Sequence, residues 1–236
     1  MQAIVLAAGR GKRLGDLTED LPKVLMPVNS HSIIELILKQ LSKAGVDEAV
    51  IVVNYQKEKI ISELGEEKFG IRLKYAEQKE RLGTANAVLS AKGLIDEDLF
   101  FVLAGDSIFP ADVLERLKKH DADGVLTVCR VNDPSKFGVI EKDDGRVVRI
   151  VEKSQNPPTD LANTSIYLFH KDIFDACEKI PLSSRGEYEI TDAIQFLIDS
   201  GKVFEYEIIE NWIDIGTKQQ LQEAQKLAAE LLGEED

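Results

Sequence analysis

The residues of this chain with the most chemistry in them are a cluster of cations around two glycines and a pair of aspartates far downstream. The N-terminal run Ala3-Ile-Val-Leu-Ala-Ala breaks into Gly9-Arg10-Gly11-Lys12-Arg13-Leu14-Gly15, and Leu21-Pro22-Lys23 follows. Glycine lets the backbone approach a ligand with no Cβ in the way, and successive exposed N–H groups in such a turn form an anion-binding concavity. Arg10, Lys12, Arg13 and Lys23 fall within fourteen residues of a 236-residue chain whose formal net charge is −13. A cationic knot in an acidic protein suits a small polyanion; its bland alternative is a tight turn with solvated cations. Asp106 ends an apolar run, and Asp214 sits inside Trp212-Ile-Asp-Ile-Gly-Thr. A carboxylate in apolar surroundings is costly unless it is solvated, paired or on a metal, although helix capping accounts for either aspartate as well. Together with the cationic turn, the two fit a hard divalent ion held by one or two carboxylates plus substrate phosphates.

Two familiar phosphate motifs are excluded. A P-loop is ruled out because five residues, not four, separate Gly9 from Gly15, and Asp16 follows where Lys and a hydroxyl are needed. The dinucleotide fingerprint Gly-x-Gly-x-x-Gly is also incomplete, because Leu14 stands at the third glycine. The acid expected at the end of the next strand is missing too: Val50-Ile-Val-Val runs into Asn54-Tyr55. A dinucleotide-dependent oxidoreductase is disfavoured on both counts.

The elements that must position these residues follow from periodicity. Short apolar runs at 3–8, 49–53 and 99–104 read as buried strands, and 71–77 as a strand ending in Gln78. Helices are expected near 32–44, with Gly45 as C-cap, at 57–64 and at 85–92. This alternation predicts a mostly parallel sheet flanked by helices, with ligands outside the carboxyl ends of the strands. Gly9, Gln78 and Asp106 lie at such ends. The second half is strand-rich: 124–131, 137–141, 147–152 and 166–169, with a hairpin at Asp143-Asp144-Gly145. Helices 172–180 and 190–199, a strand 203–208, a turn 211–217 and a helix 218–232 complete the chain. Leu221, Ala224, Leu227, Ala228 and Leu231 share one face of that last helix, for packing inward or for a homo-oligomer. The reading is one unit, 1–236, with a nucleotide lobe of about 1–123 and a substrate lobe of about 124–236.

Composition narrows the class further. With 44% hydrophobic and 30% charged residues the chain is ordinary for a globular protein, and no apolar run approaches the roughly 18 residues of a membrane span. The acidic balance leaves no basic stripe for a nucleic-acid partner. Cys129 and Cys177 form no metal or disulfide pattern. A cytoplasmic location follows by default.

Taken in order, Leu6-Ala-Ala-Gly-Arg-Gly-Lys-Arg-Leu, Leu21-Pro-Lys, Gln78 with Leu82-Gly-Thr, Gly105-Asp106, Phe137-Gly-Val, Val151-Glu-Lys, Ala162-Asn163, Glu189-Ile-Thr-Asp and Trp212-Ile-Asp-Ile-Gly-Thr resemble the sugar-1-phosphate nucleotidylyltransferases. That group includes glucose-1-phosphate thymidylyl- and uridylyltransferases and the pyrophosphorylase domain that makes UDP-N-acetylglucosamine. The resemblance covers essentially the whole chain. It implies a Rossmann-like mixed α/β sheet of the nucleotide-diphospho-sugar transferase type, and transfer of a nucleotidyl group from a nucleoside triphosphate to a sugar 1-phosphate with release of pyrophosphate. By the resemblance, Arg13, Lys23 and Asp106 are catalytic, and Asp106 and Asp214 hold Mg²⁺. Leu6, Ala8, Gly9, Gly11, Gln78, Gly83 and Thr84 bind the nucleotide, with a lean toward UTP or dTTP. Gly138, Glu152, Lys153 and Asn163 line the sugar pocket. Capping, bulging or solvation would explain Gln78, Thr84, Gly138, Glu152, Lys153 and Asn163 individually, and Thr191-Asp192 is read as capping of the helix at 190.

The departures are specific. Lys12 stands where Thr or Ser is common, Asp16 where Pro is, and Ser165 where glycine is frequent. Glu152-Lys153 runs into Ser154-Gln155 and not directly into proline. With one helix closing the chain, the left-handed β-helix acyltransferase domain of some relatives, and acetyltransferase activity with it, are expected to be absent. A GTP- or CTP-using member, and a silent relative that binds nucleotide or sugar phosphate for regulation, stay open; retention of Arg13, Lys23, Asp106 and Asp214 counts against the silent relative.

Overall fold

In the core strands Gln2–Leu6 (β1), Glu48–Val53 (β4) and Leu99–Ala104 (β7), successive side chains go to opposite faces and both faces are apolar. Ala3, Val5, Ala49, Ile51, Phe101 and Leu103 enter one core. Ile4, Val50, Val52, Phe100 and Val102 enter the other. A strand buried on both sides needs helices on both sides, and the sequence supplies them. The computed structural model describes residues 1–110 and 112–232, without the side chains of Lys12 and residues 229–232.

Between β1 and β4 lie Pro27–Val28 (β2), His31–Ser32 (β3) and helix α1 (Ile33–Lys43). Ser32 starts α1 with a capping box: its backbone N–H and hydroxyl both donate to Glu35 Oε2, at 2.8 and 2.9 Å. After β4 come α2 (Lys57–Leu64), β5 (Glu67–Lys68), β6 (Ile71–Glu77) and α3 (Thr84–Ser90), which leads to β7. Beyond β7 are β8 (Ser107–Ile108), α4 (Val113–Leu117), β9 (Gly124–Arg130), β10 (Gly138–Asp143), β11 (Arg146–Glu152) and β12 (Leu161–His170). The chain closes with α5 (Asp172–Lys179), α6 (Ile190–Asp199), β13 (Phe204–Ile208), β14 (Ile213–Asp214) and α7 (Lys218–Leu232).

Ten strands form one sheet, ordered β10-β11-β13-β9-β12-β7-β1-β4-β6-β5. β7, β1, β4 and β6 run parallel, and β12 joins this block antiparallel to β7. In the second half β10 pairs with β11 and also, at Val139↔Ala162, with β12, so the strands of that half curl back on themselves. The expected mixed sheet flanked by helices is therefore observed. Asp144 and Gly145 both take positive φ, as the predicted two-residue hairpin requires.

Two expectations change. Residues 211–217 are not only a turn: Ile213 and Asp214 form β14, which pairs antiparallel with β8. The strand expected at 166–169 is ten residues long, and its polar first half, Asn163-Thr164-Ser165, contains a register break where Ser165 adopts φ 59°. The α7 face packs inward, with Ala224 and Ala228 fully buried and Leu221 against the core; the side chain of Leu231 lies outside the described residues. No helix among the described residues is long and apolar enough to cross a membrane.

α4 is tied to β13 through His120, whose Nδ1 and Nε2 lie 2.5 and 2.9 Å from Glu205 and Glu207. Arg116 also faces Glu207, at 3.5 Å, and is itself paired with Asp112. Burial disfavours the imidazolium, but the hydrogen bonds to Glu205 and Glu207 outweigh it and raise the pKa above the ordinary value. Stability from this clamp is therefore full below about pH 6.5 and is lost as pH rises through the folded-state value. His120→Gln should cost about 1–2 kcal/mol at pH 6 and much less at pH 9; equal losses in denaturant melts at both pH values would contradict it.

Candidate active site

The parallel strands β1, β6 and β7 deliver Gly9, Gln78 and Asp106 at their carboxyl ends, and the β8–β14 pair carries Asp214 to the same place. Asp214 lies opposite Ser107 in register, and the Ile215 N–H donates to the Asp106 carbonyl at 2.9 Å. Neither aspartate caps a helix: Asp106 leads into β8, and the cap of α7 is Thr217, whose hydroxyl accepts from the Gln220 N–H at 3.2 Å. Between the carboxylates sits Lys23, only 6% exposed. Its Nζ is 2.6 Å from Asp106 Oδ2 and 3.9 Å from Asp214 Oδ1. Arg13, 69% exposed at its side chain, reaches within 3.9 Å of Asp214 Oδ2.

Two glycines make this packing feasible. A Cβ at Gly11, where φ is 69°, would lie 3.0 Å from Lys23 Cβ, and one at Gly216 would lie 2.7 Å from the Arg13 guanidinium. Burial pushes the Asp214 carboxyl above the usual range, and the Asp106 charge adds to it, against the pull of Lys23 and Arg13. The donor set, two neighbouring carboxylates of which one is pushed toward protonation by burial and by its twin, suits a hard divalent cation completed by phosphate oxygens. Among the described residues no group of three or more His, Cys, Asp or Glu could hold a metal unaided.

A cleft of about 1320 Å³ opens beside this cluster. It brings together Arg13, Thr84, Asp106, Gly138, Glu152, Lys153, Asn163 and Asp214 from the two halves of the chain. Leu6, Ala8, Gly9, Gly11, Gln78 and Gly83 do not line it; they sit at or after the neighbouring ends of β1 and β6, with Gly83 at the start of α3. A Cβ at Gly9 would meet nothing within 4 Å, so the protein's own packing does not require glycine there. Gln78 is buried and gives its amide to the Gly83 carbonyl at 3.0 Å and Asn86 Oδ1 at 2.8 Å. No donor among the described residues reaches its Oε1.

On the far wall, Gly138 is not a bulge but the first residue of β10, where a Cβ would fall 2.8 Å from Glu152 Oε2. Asn163 Oδ1 accepts from the Ser165 N–H at 3.1 Å, and its Nδ2 reaches Tyr167 Oη at 2.6 Å, which holds the break in β12. Lys153 lies 3.4 Å from Glu152. Behind this wall lies Arg185, which the sequence reading did not name, while Glu189 and Thr191, read there as part of a motif and as a helix cap, take partners it did not foresee. Arg185 bridges Glu152 and Glu189 at 3.1 and 3.3 Å, and burial with the nearby Glu152 raises the pKa of Glu189. Thr191 does not cap α6; its hydroxyl donates to Glu152 Oε2 at 3.1 Å, while Thr84 Oγ1 takes the Ile190 N–H at 2.9 Å. The sequence signal was Arg185-Gly186 set among Glu187 and Glu189.

The fold is that of a nucleotide-diphospho-sugar transferase. Residues 2–230 match the family described as Nucleotidyl transferase, and the chain belongs to it. It is 40% identical over 233 residues to UTP–glucose-1-phosphate uridylyltransferase AglF of Haloferax volcanii, with 96% of each chain covered. It is also 40% identical over 227 residues to the bifunctional protein GlmU of Methanocaldococcus jannaschii, of which it spans 54%. Among solved structures, a Bacillus anthracis chain described as a glucose-1-phosphate thymidylyltransferase, in complex with sucrose, superposes with a TM-score of 0.86 at 29% identity, covering 97% of this chain and 95% of that one. UDP-glucose pyrophosphorylase complexed with UDP-glucose shares the fold, with a TM-score of 0.85 at 20% identity and coverage of 97% and 98%. The relatives are sugar-1-phosphate nucleotidyltransferases, so the chain belongs among enzymes.

Gly83 ties the halves of the cleft together. It holds φ 108°, and the flanking backbone pairs with Tyr188: the Tyr188 N–H donates to the Leu82 carbonyl at 2.7 Å, and the Ala85 N–H to the Tyr188 carbonyl at 2.9 Å. A Cβ there would lie 2.5 Å from the Tyr188 carbonyl oxygen. Gly83→Ala should cost roughly 3 kcal/mol, visible as a Tm about 6–12 °C lower; a wild-type melt would show that the backbone crossing is slack.

Proposed function

We propose that this protein transfers a nucleotidyl group from a nucleoside triphosphate, UTP or dTTP, to a sugar 1-phosphate of the glucose or N-acetylglucosamine class, forming a nucleoside-diphosphate sugar and pyrophosphate. The observation that carries the reading is the convergence of Arg13, Lys23, Asp106 and Asp214, drawn from separate parts of the sequence, at the mouth of one cleft. Residues 1–123 serve the nucleotide and 124–236 the sugar. The reaction takes place in the cytoplasm.

The sugar phosphate oxygen attacks the α-phosphorus in line, and pyrophosphate leaves. That nucleophile is already an anion, so no side chain need act as a general base. The protein's work is positioning and charge neutralisation. Backbone at Leu6, Ala8, Gly9 and Gly11 cradles the triphosphate. Arg13 neutralises the β- and γ-phosphates as pyrophosphate departs, and Lys23 faces the α-phosphate and the incoming phosphate. Asp106 and Asp214 hold Mg²⁺, which supplies charge neutralisation and Lewis acidity when bound. Gln78, with Gly83 and Thr84, reads the base edge. Because both amide hydrogens of Gln78 are spent inside the protein, its Oε1 is the reading atom, an acceptor that suits the N3–H of uracil or thymine and rejects the N3 lone pair of cytosine. Gly138, Glu152 and Asn163 shape the sugar pocket, with Lys153 near its phosphate.

The test is a pyrophosphate-release assay with Mg²⁺ across UTP, dTTP, CTP and GTP, each with glucose 1-phosphate and N-acetylglucosamine 1-phosphate. Turnover with a uracil or thymine nucleotide is expected; silence on every pair with nucleotide binding intact would make the protein a regulatory binding module. Asp106→Asn should abolish turnover with the fold retained. Lys23→Met, which keeps the packing against Gly11, should lower kcat by about 10²-fold or more. Wild-type turnover in either variant removes that residue from the site.

A further inference from the structure

The loop that carries Arg13 is not held by its own hydrogen bonds alone. Residues 12–18 form a tight 3-10 stretch broken at Gly15, where φ is 59° and ψ is −134°, and the stretch ends with three carbonyls, those of Thr18, Glu19 and Asp20. All three receive side-chain donors from one short segment after β4. Tyr55 Oη lies 3.1 Å from the Glu19 carbonyl and 3.4 Å from that of Thr18. Gln56 Nε2 donates to the Glu19 carbonyl at 2.6 Å and to Tyr55 Oη at 3.0 Å. Lys59 Nζ donates to the Asp20 carbonyl. The guanidinium of Arg10 lies over the Tyr55 ring, 5.1 Å from its centroid.

This arrangement is unfavourable for Gln56 itself. It holds φ 51°, in the left-handed region, where a glycine or asparagine is cheaper. Its Oε1 is buried with no hydrogen-bond partner, a further cost. The backbone of Gln56 also starts α2, its carbonyl accepting from the Lys59 and Ile60 N–H groups at 3.0 and 3.4 Å, but its side-chain donors go to the loop and to Tyr55 alone. Strain of this kind persists where the conformation it enforces matters.

We propose that Tyr55, Gln56 and Lys59 form a latch that sets the conformation of the 10–20 loop, and that Tyr55 and Gln56 are positioning residues for the triphosphate, acting through Arg10 and Arg13 without touching the nucleotide. The proposal rests on the functional reading above for the identity of the ligand. Because β1 and β4 are parallel neighbours, their following loops leave the same edge of the sheet, and the latch fixes one against the other. Release of the latch leaves Arg13 free to leave the place where it meets the triphosphate, while the sugar wall, built on other strands, is untouched. The effect therefore falls on the nucleotide and spares the sugar phosphate.

The test uses Tyr55→Phe, which keeps the ring under Arg10 and removes the hydroxyl, and Gln56→Gly, which relieves the positive φ and removes the amide. Each should raise KM for the nucleoside triphosphate by about 3- to 10-fold, the worth of one or two hydrogen bonds, with KM for the sugar phosphate unchanged. Gln56→Gly should do so with no fall in Tm, which separates a latch from a merely structural side chain. A second arm needs no turnover: trypsin should cut after Arg10, Lys12 or Arg13 several-fold faster in both variants than in wild type. Unchanged cleavage in both variants overturns the latch. Faster cleavage with an unchanged KM for the nucleotide overturns the positioning role. If the wild-type protein turns over none of the substrate pairs, the functional reading fails on its own, and the cleavage rates still decide the latch.

Discussion

A lysine ammonium taken almost wholly out of water is the constraint on which the rest of this structure depends. Lys23 can be buried only if carboxylates meet it, since an unpaired charge in such a place would shift its protonation or unfold its surroundings. Asp106 meets it directly and Asp214 at longer range. The price is that two carboxylates now crowd one cation, and burial together with Asp106 holds Asp214 toward its protonated form. In the function proposed above, a hard cation and a chain of phosphates would relieve that crowding from the open side, bringing positive and negative charge in alternation. The cluster is thus stable enough to be built and incomplete enough to bind.

Bringing the cluster together takes nonlocal structure. Asp106 and Asp214 are joined by a bridge of two residues on each side, β8 and β14. Such a bridge has no periodicity to read. The aspartates' neighbours were apolar and ambiguous, and capping was a fair physical alternative for each. The large elements were another matter: α2, β6, β7, α6 and α7 have the bounds their hydrophobic periodicity implied. The sheet's parallel block followed from the same pattern. What the pattern could not carry was the first half of β12, where Asn163, Thr164 and Ser165 are polar but buried or half-buried against other polar groups. Nor could it place Thr191, whose hydroxyl serves the neighbouring Glu152 and not its own helix.

The substitution of Ser165 at a position where the family often has glycine has a structural counterpart. Ser165 sits at φ 59° in the break of β12, a conformation glycine adopts freely and serine does not. The side chain of Asn163 compensates by accepting the Ser165 N–H, and Tyr167 in turn holds the Asn163 amide. One cleft wall therefore owes its shape to a three-residue network, and the sequence reading of Asn163 as either a pocket residue or a turn residue was a false choice. It is both, because the turn is what shapes the pocket.

The two halves of the chain meet in a way that makes the cleft a single object. Backbone at 82–85 pairs with Tyr188, the Thr84 hydroxyl takes the first N–H of α6, and the next residue of that helix, Thr191, orients Glu152. The loop at 82–85 is thereby joined through α6 to the wall that carries Glu152 by hydrogen bonds. On the opposite rim the phosphate loop has no such link; its outer carbonyls answer to the segment after β4. The two rims are thus tied by separate sets of hydrogen bonds, one joining the halves of the chain through α6 and one joining the loops that follow β1 and β4.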